Sequence, residues 1–181
     1  MITVEKSIVI DRPAEDVFAY VSDHTNAPRW QRGLIEVRRA TDGPIGVGTR
    51  HTLVRTFMGR RMEASNEFTQ YEPNKLVGFK IASDGATAQA WYVVEPEGTD
   101  RARLTSRIEM QPSGLFRLAQ PLIAASLRRE VEANLDDLKV LLEANHLRGP
   151  SASRQKTGGD SNAKDNGGSS DLTTGAEMRL G

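Results

Sequence analysis

Residues 121–146 read PLIAASLRREVEANLDDLKVLLEANH, and the fold turns on this stretch. Leu127, Val131, Leu135, Leu138 and Leu142 stand 4, 4, 3 and 4 residues apart, which places them in one stripe of a 3.6-residue helix. Arg128, Arg129, Glu130, Glu132, Asp136, Asp137 and Lys139 fall mostly on the other faces. Gly149-Pro150 stops the pattern, so the spacing predicts a long helix from about Pro121 to His146, with a separate helical turn over Leu115–Gln120. A helix with a single apolar stripe needs an apolar surface to lie on. The sequence upstream of Pro112-Ser113-Gly114 supplies one with a different period.

From Leu34 to Met110 apolar and polar residues alternate in runs closed by turn residues. The runs are Leu34–Ala40, Thr49–Phe57, Arg61–Tyr71, Leu76–Ala82, Ala88–Glu95 and Arg101–Met110. The turns between them include Thr41-Asp42-Gly43-Pro44, Met58-Gly59-Arg60, Glu72-Pro73-Asn74, Ser83-Asp84-Gly85 and Pro96-Glu97-Gly98-Thr99-Asp100. Connections this short predict an antiparallel meander. Ahead of it, Ile2, Val4, Ile8 and Ile10 alternate with Thr3, Glu5, Ser7 and Val9 as in a half-buried strand. Asp11-Arg12-Pro13-Ala14-Glu15-Asp16 then opens a short helix, with acidic residues at its positive end. A second short helix follows around Asn26-Ala27-Pro28. The fold class is α+β: about seven antiparallel strands, two short helices after the first, and a long C-terminal helix.

Composition narrows the function. Lysine plus arginine and aspartate plus glutamate number 24 each, and residues 149–181 carry four of each sign. Residues 1–148 are therefore formally neutral as well, which disfavours a nucleic-acid partner. The absence of cysteine removes disulfides, thiolate metal sites and cysteine nucleophiles. Charges interrupt the N-terminal apolar run and no stretch approaches the ~20 apolar residues of a membrane span, so a cytoplasmic protein without membrane insertion is expected. Residues 149–181 are polar almost throughout and are expected to form a disordered tail behind a single domain, 1–148.

The order of elements resembles the helix-grip fold. Ile10-Asp11-Arg12-Pro13-Ala14-Glu15-Asp16-Val17-Phe18, Pro28-Arg29-Trp30, Gly46-Val47-Gly48-Thr49-Arg50 and Tyr71-Glu72-Pro73-Asn74-Lys75-Leu76 sharpen the likeness. With Asp137-Leu138-Lys139-Val140-Leu141-Leu142-Glu143 they resemble the polyketide cyclase/dehydrase branch of the START-like (Bet v 1-like, SRPBCC) superfamily, over about residues 1–146. The resemblance implies a curved sheet gripping the C-terminal helix, with a cavity between them for a lipid, polyketide or aromatic molecule. It carries no fixed catalytic residues.

Strand parity then nominates cavity-lining residues. Ala64, Asn66 and Phe68 share a face with Met62; Phe79 with Ile81; Ala90 and Tyr92 with Val94; Leu104, Ser106 and Ile108 with Met110. The helix adds Leu127 and Val131. Asn66, Tyr92 and Ser106 are the polar groups of this face, of the kind that orients a ligand in a mostly apolar pocket. His51, on a strand, is a candidate for donating a hydrogen bond or moving a proton if its face is the inner one. Trp30 belongs at the cavity mouth or in the core.

The other motifs have plainer readings. The glycines of Gly43-Pro44-Ile45-Gly46-Val47-Gly48 lack the helix and third glycine of a dinucleotide loop and read as turn residues. His24 reads as a loop residue and His146 as a cation at a helix C-terminus; no histidine pair has helical ligand spacing, so no metal or other cofactor is expected. The opposite parity, with Glu63, Ser65, Glu67, Arg103, Thr105, Arg107 and Glu109, reads as solvent-facing cross-strand pairs, and Trp91 on that face as a protein-contact surface.

The leading functional reading is a non-catalytic carrier or sensor of a hydrophobic small molecule. A cyclase or dehydratase using His51 as proton shuttle, with Tyr92 or Asn66 as anchor, is the alternative. An interaction module with a vestigial cavity is the third; a homodimer is compatible with all three. Ending the chain after Arg148 is expected to leave the melting temperature unchanged within a few degrees in a thermal melt, because the tail has no apolar side chains at core spacing.

Overall fold

The computed structural model describes residues 1–57, 60–83 and 86–147, which belong to the compact unit Met1–Gly149. The turns expected at Met58-Gly59 and Asp84-Gly85 and the tail from 148 onward lie outside the described residues. The strands are β1 (Ile2–Ile10), β2 (Leu34–Arg39), β3 (Arg50–Phe57), β4 (Arg60–Glu72), β5 (Leu76–Ser83), β6 (Ala86–Pro96) and β7 (Ala102–Pro112). Between β1 and β2 come helix α1 (Ala14–Ser22) and a 3-10 helix (His24–Arg29). After β7 a 3-10 turn (Gly114–Arg117) leads into helix α2 (Gln120–Leu147).

The strands form one antiparallel sheet in the order β1-β7-β6-β5-β4-β3-β2. The meander from β2 to β7 is consecutive, and β1 closes on β7 at the far edge. The helical segment between β1 and β2 carries the chain from one edge to the other. Helix α1 begins after Pro13, which stands at its N-cap rather than in its first turn, and whose carbonyl accepts from the N–H groups of Asp16 and Val17 at 3.1 and 3.2 Å. The 3-10 helix is capped by Asp23, whose carboxylate accepts from Thr25 N at 3.0 Å.

Two irregularities bend the sheet. The register shifts between Leu34 and Glu36 in β2, and between Phe68 and Gln70 in β4. The extra residue of a bulge bends its strand and increases the local twist, here in the longest strand of the sheet. At this bend Gly78 of β5 lies under the Trp91 ring on the convex face, and a Cβ there would meet Trp91 Cδ1 at 2.8 Å. Trp91 thus substitutes its ring for the missing side chain of Gly78.

The concave face is covered by α2. Val131, Leu135, Leu138 and Leu142 are buried against Ile2, Val4, Ile10, Leu104 and Ala102, and Leu127 is packed at the margin. Polar contacts flank the apolar stripe. Lys139 Nζ donates to Val9 O at 2.6 Å, and Glu143 accepts from Asp11 N at 2.9 Å. Asn134 Oδ1 accepts from Arg32 N at 2.8 Å, while Asp137 holds the Arg32 guanidinium through two bonds of 2.7 and 2.9 Å. Glu130 pairs with Arg55 at 2.8 Å and Glu132 with Lys6. Among the described residues no helix is long and apolar enough to cross a membrane.

On the convex face Glu67, Glu63 and Arg107 do form cross-strand pairs, but with other strands than expected, because β4 and β7 are not neighbours: Arg50–Glu67 and Arg38–Glu63, each at 3.1 Å, and Arg107–Glu5 at 3.5 Å. Glu67 and Arg103 do not meet; Arg103 pairs with Glu97. Such exposed pairs stabilise little, roughly 0–1 kcal/mol each, so the burden falls on the apolar seam. Leu138 is fully buried in it. Leu138→Ala is expected to lower unfolding free energy by about 2–5 kcal/mol, read as a lower urea midpoint.

Candidate functional site

Strand pairing arranges the inward-facing side chains in rows that cross the sheet. One row runs His51, Asn66, Ile81, Ala88, Met110. The next runs Phe68, Phe79, Ala90, Ile108, and a third contains Val77, Tyr92 and Ser106, with Val94 and Leu104 beyond. Asn66, Phe68, Phe79, Ala90, Tyr92, Leu104 and Ser106 are buried there, as is Val131 on α2. His51 also faces inward and is only 2% exposed. Trp30 is in the core, 4% exposed, with its ring 5.8 Å from that of Tyr92.

The inner face is not sealed throughout. Met62, Ala64, Ile81, Ile108 and Met110 face α2 yet are only half-buried, as are Ile123, Ala124 and Leu127 of α2 itself. These residues lie toward the end of β7 and the beginning of α2. At the end where α2 starts, apolar side chains of the inner parity are therefore only partly covered. His51 lies on the same sheet face.

Beside His51 lies a residue the sequence did not nominate. His24, expected in a loop, is the first residue of the 3-10 helix and is 4% exposed. The 3-10 helix carries the ring into the interior, where it meets Phe79 edge-to-face at 4.5 Å and Phe68 at 4.7 Å between centroids. His51 lies 5.4 Å away, centroid to centroid. His24 Nδ1 lies 2.8 Å from Asn66 Nδ2. An amide nitrogen only donates, so Nδ1 accepts and the proton of the neutral ring sits on Nε2.

Several atoms in this region have no hydrogen-bond partner among the described residues: His24 Nε2, both ring nitrogens of His51, Asn66 Oδ1 and Trp30 Nε1. Buried polar atoms in folded proteins are normally paired, so a group of them is exceptional. Tyr92 is satisfied, its hydroxyl accepting from Gln31 Nε2 at 3.1 Å.

Burial sets the protonation states. His24 is lowered to about 3, by desolvation first and by the neighbouring His51 second. His51 is also lowered, by burial and then by the charge of Arg39, with Asp23 opposing. Burial raises Tyr92. At neutral pH the interior thus presents two neutral imidazoles and a neutral phenol. Among the described residues no three His, Cys, Asp or Glu side chains form a cluster able to hold a metal ion.

A family pattern described as polyketide cyclase / dehydrase and lipid transport matches residues 1–143. No curated protein matches the chain. Among solved structures, TTHA0849 from Thermus thermophilus is similar at TM-score 0.68 and 18% identity, covering 79% of this chain and 98% of that one. The Zhui aromatase/cyclase from Streptomyces sp. R1128 is similar at TM-score 0.64 and 14% identity, covering 83% and 97%. A START superfamily protein from Mycobacterium smegmatis is similar at TM-score 0.61 and 16% identity, covering 82% and 99%. At these identities the likeness establishes the helix-grip fold.

The lowered pKa of His24 makes stability pH-dependent. The unfolded chain takes up a proton near pH 6.5 that the folded ring refuses until about pH 3, so this contribution is complete above pH 6.5 and is lost as pH falls below it. Between pH 6.5 and 5, above the range where carboxylates titrate, the melting temperature is expected to drop. His24→Phe is expected to flatten that slope in thermal melts.

Proposed function

The chain belongs to the polyketide cyclase / dehydrase and lipid transport family, and from that premise we propose that it binds a hydrophobic small molecule, of lipid, polyketide or aromatic type, between the sheet and α2. The observation that supports this is a set of inner-parity apolar side chains left partly exposed beside α2. Inward-facing Met62, Ala64, Ile81, Ile108 and Met110 stay half-buried, beside Ile123, Ala124 and Leu127. An apolar surface that a folded chain leaves uncovered on its core side supports a ligand site. Carrier or sensor is the reading that needs nothing further.

Magnitudes limit what apolar contact alone achieves. Covering ~300 Å² of apolar ligand surface at ~25 cal/mol per Å² gains ~7–8 kcal/mol. Immobilising the ligand costs at least ~4 kcal/mol, so burial by itself gives weak binding. Micromolar affinity requires ~8 kcal/mol net. The difference calls for more burial or for polar contacts, and Asn66 and His51 on the inner face supply candidates.

One observation favours a second reading, a cyclase or dehydratase. His51 is neutral at pH 7 with both ring nitrogens unpaired among the described residues, the state a proton shuttle starts from. Zhui, a structural relative, is an aromatase/cyclase. The interaction-module reading draws no support from Trp91. Its ring is occupied within the chain: Nε1 donates to Gln70 at 2.9 Å, the face covers Gly78, and the Arg107 guanidinium sits 6.0 Å from the ring.

Ala64→Trp, which places an indole in the proposed trough between sheet and α2, is expected to abolish binding in a panel of fatty acids, sterols and polycyclic aromatics followed by equilibrium dialysis. Overpacking at this position costs about 1–3 kcal/mol, less than the stability of a typical domain. If the wild-type chain binds no member of the panel more tightly than about millimolar, the carrier and enzyme readings both fail. A ligand that His51→Ala still binds but no longer converts makes the protein an enzyme.

A further inference from the structure

We infer that His24 and His51, with Asn66 bracing His24, form a hydrogen-bond clamp for a neutral oxygen on a ring-shaped ligand, so that the occupant carries a hydroxyl or carbonyl group. This rests on the trough being a ligand site and goes further by naming the polar group recognised and the residues that recognise it.

Three separate elements bring the clamp together: the 3-10 helix (His24), β3 (His51) and β4 (Asn66). His51 and Asn66 are directly opposed across the β3–β4 pair, and the Asn66 amide reaches His24 Nδ1 at 2.8 Å. That bond fixes the ring and leaves the Nε2 proton to donate elsewhere. His24 Nε2, Asn66 Oδ1 and both nitrogens of His51 find no partner among the described residues. Together they offer two donors and two acceptors, of which a hydroxyl can satisfy three and a carbonyl the two donors. Phe68, Phe79 and Tyr92 surround the His24 ring with aromatic surface, which suits a flat ring in the ligand.

Charge argues against a carboxylate as the recognised group. Of the cationic side chains described on the inner parity, Lys6 pairs with Glu132 and Arg55 with Glu130, while Arg39, opposite His51, is exposed and donates to the Gly43 carbonyl. The imidazoles are neutral at pH 7, because burial disfavours their charged forms. A carboxylate placed between the two neutral rings would lose its hydration without gaining a buried cation, since Arg39 is exposed to water. A hydroxyl or carbonyl loses far less and gains the same hydrogen bonds.

The test compares naphthalene, 1-naphthol and 1-naphthoate against the full chain at pH 7.5, with the imidazole nitrogen resonances of His24 and His51 read by NMR. Binding of 1-naphthol about tenfold tighter than naphthalene is expected, from one or two net hydrogen bonds. 1-Naphthoate should bind no more tightly than naphthalene. The resonances of both histidines should move with 1-naphthol and stay in place with naphthalene. In His24→Phe and His51→Phe the naphthol-to-naphthalene ratio should fall toward one; if a variant fails to fold, the wild-type ratio and resonances decide alone. Equal affinities for naphthol and naphthalene, or naphthoate binding tightest, overturn the clamp and leave the trough standing. If none of the three binds and the resonances do not respond, the clamp is overturned, and the fatty-acid, sterol and polycyclic panel decides the trough separately.

Discussion

A single antiparallel sheet with one apolar face cannot stand in water, and this chain has one long element with which to cover it. The Val131–Leu135–Leu138–Leu142 stripe of α2 lies on the concave face, and the positions of the other elements follow. The stripe is non-directional by itself, since apolar burial does not choose a register. Direction comes from the polar contacts along its margins. Lys139 to the β1 carbonyl of Val9, Glu143 to the Asp11 amide, and Asn134 with Asp137 to Arg32 tie α2 to both chain segments flanking α1 and the 3-10 helix. None of these contributes much energy, yet together they allow only one placement of the helix along the sheet.

Curvature then divides the space beneath α2 into two parts. The bulge at Phe68/Gln70 bends β4 where it pairs with β5. Toward the C-terminal half of α2, helix and sheet meet and the side chains are fully buried. Toward its N-terminal half the sheet side chains remain half-exposed. Gly78 and Trp91 belong to the same geometry, since the bend brings the convex-face ring down onto a position where only glycine fits.

Legibility in the sequence followed periodicity. Alternation with period two locates every strand within a few residues and assigns inner and outer faces, which is why Asn66 and Tyr92 are legible as inward-facing and His51 as a candidate for the same face. The leucine stripe locates α2 equally well. The bulge is harder to read: Thr69 and Gln70 are two polar residues in succession, and the phase change that turns Tyr71 inward shows only when β4 and β5 are paired. His24 escapes sequence reasoning because a 3-10 helix of six residues has no period to read, and its partner Asn66 is 42 positions away. The local signal is Asp23 followed by Thr25, a capping pair that fixes the turn and so the direction of the histidine between them. The unpaired state of the cluster belongs to the tertiary packing and has no sequence signature.

The chemistry of that cluster follows from which cost a folded interior can bear. A buried cation or carboxylate without a counter-ion would be neutralised or would unfold the domain. Neutral imidazole and amide groups cost less, on the order of 1–3 kcal/mol for each unpaired donor or acceptor. A domain with a large apolar seam tolerates several of them in one place. Their unpaired state is a free energy already present in the folded chain, and a ligand that supplies the missing hydrogen bonds recovers it on binding. His24 is unlike a surface histidine in this respect. Desolvation keeps it from protonating across the physiological range, so its hydrogen-bonding pattern stays constant where an exposed imidazole would switch. Asn66 completes the device by occupying Nδ1, which removes the remaining ambiguity of the ring and leaves a donor of fixed direction beside the two His51 nitrogens that find no partner among the described residues.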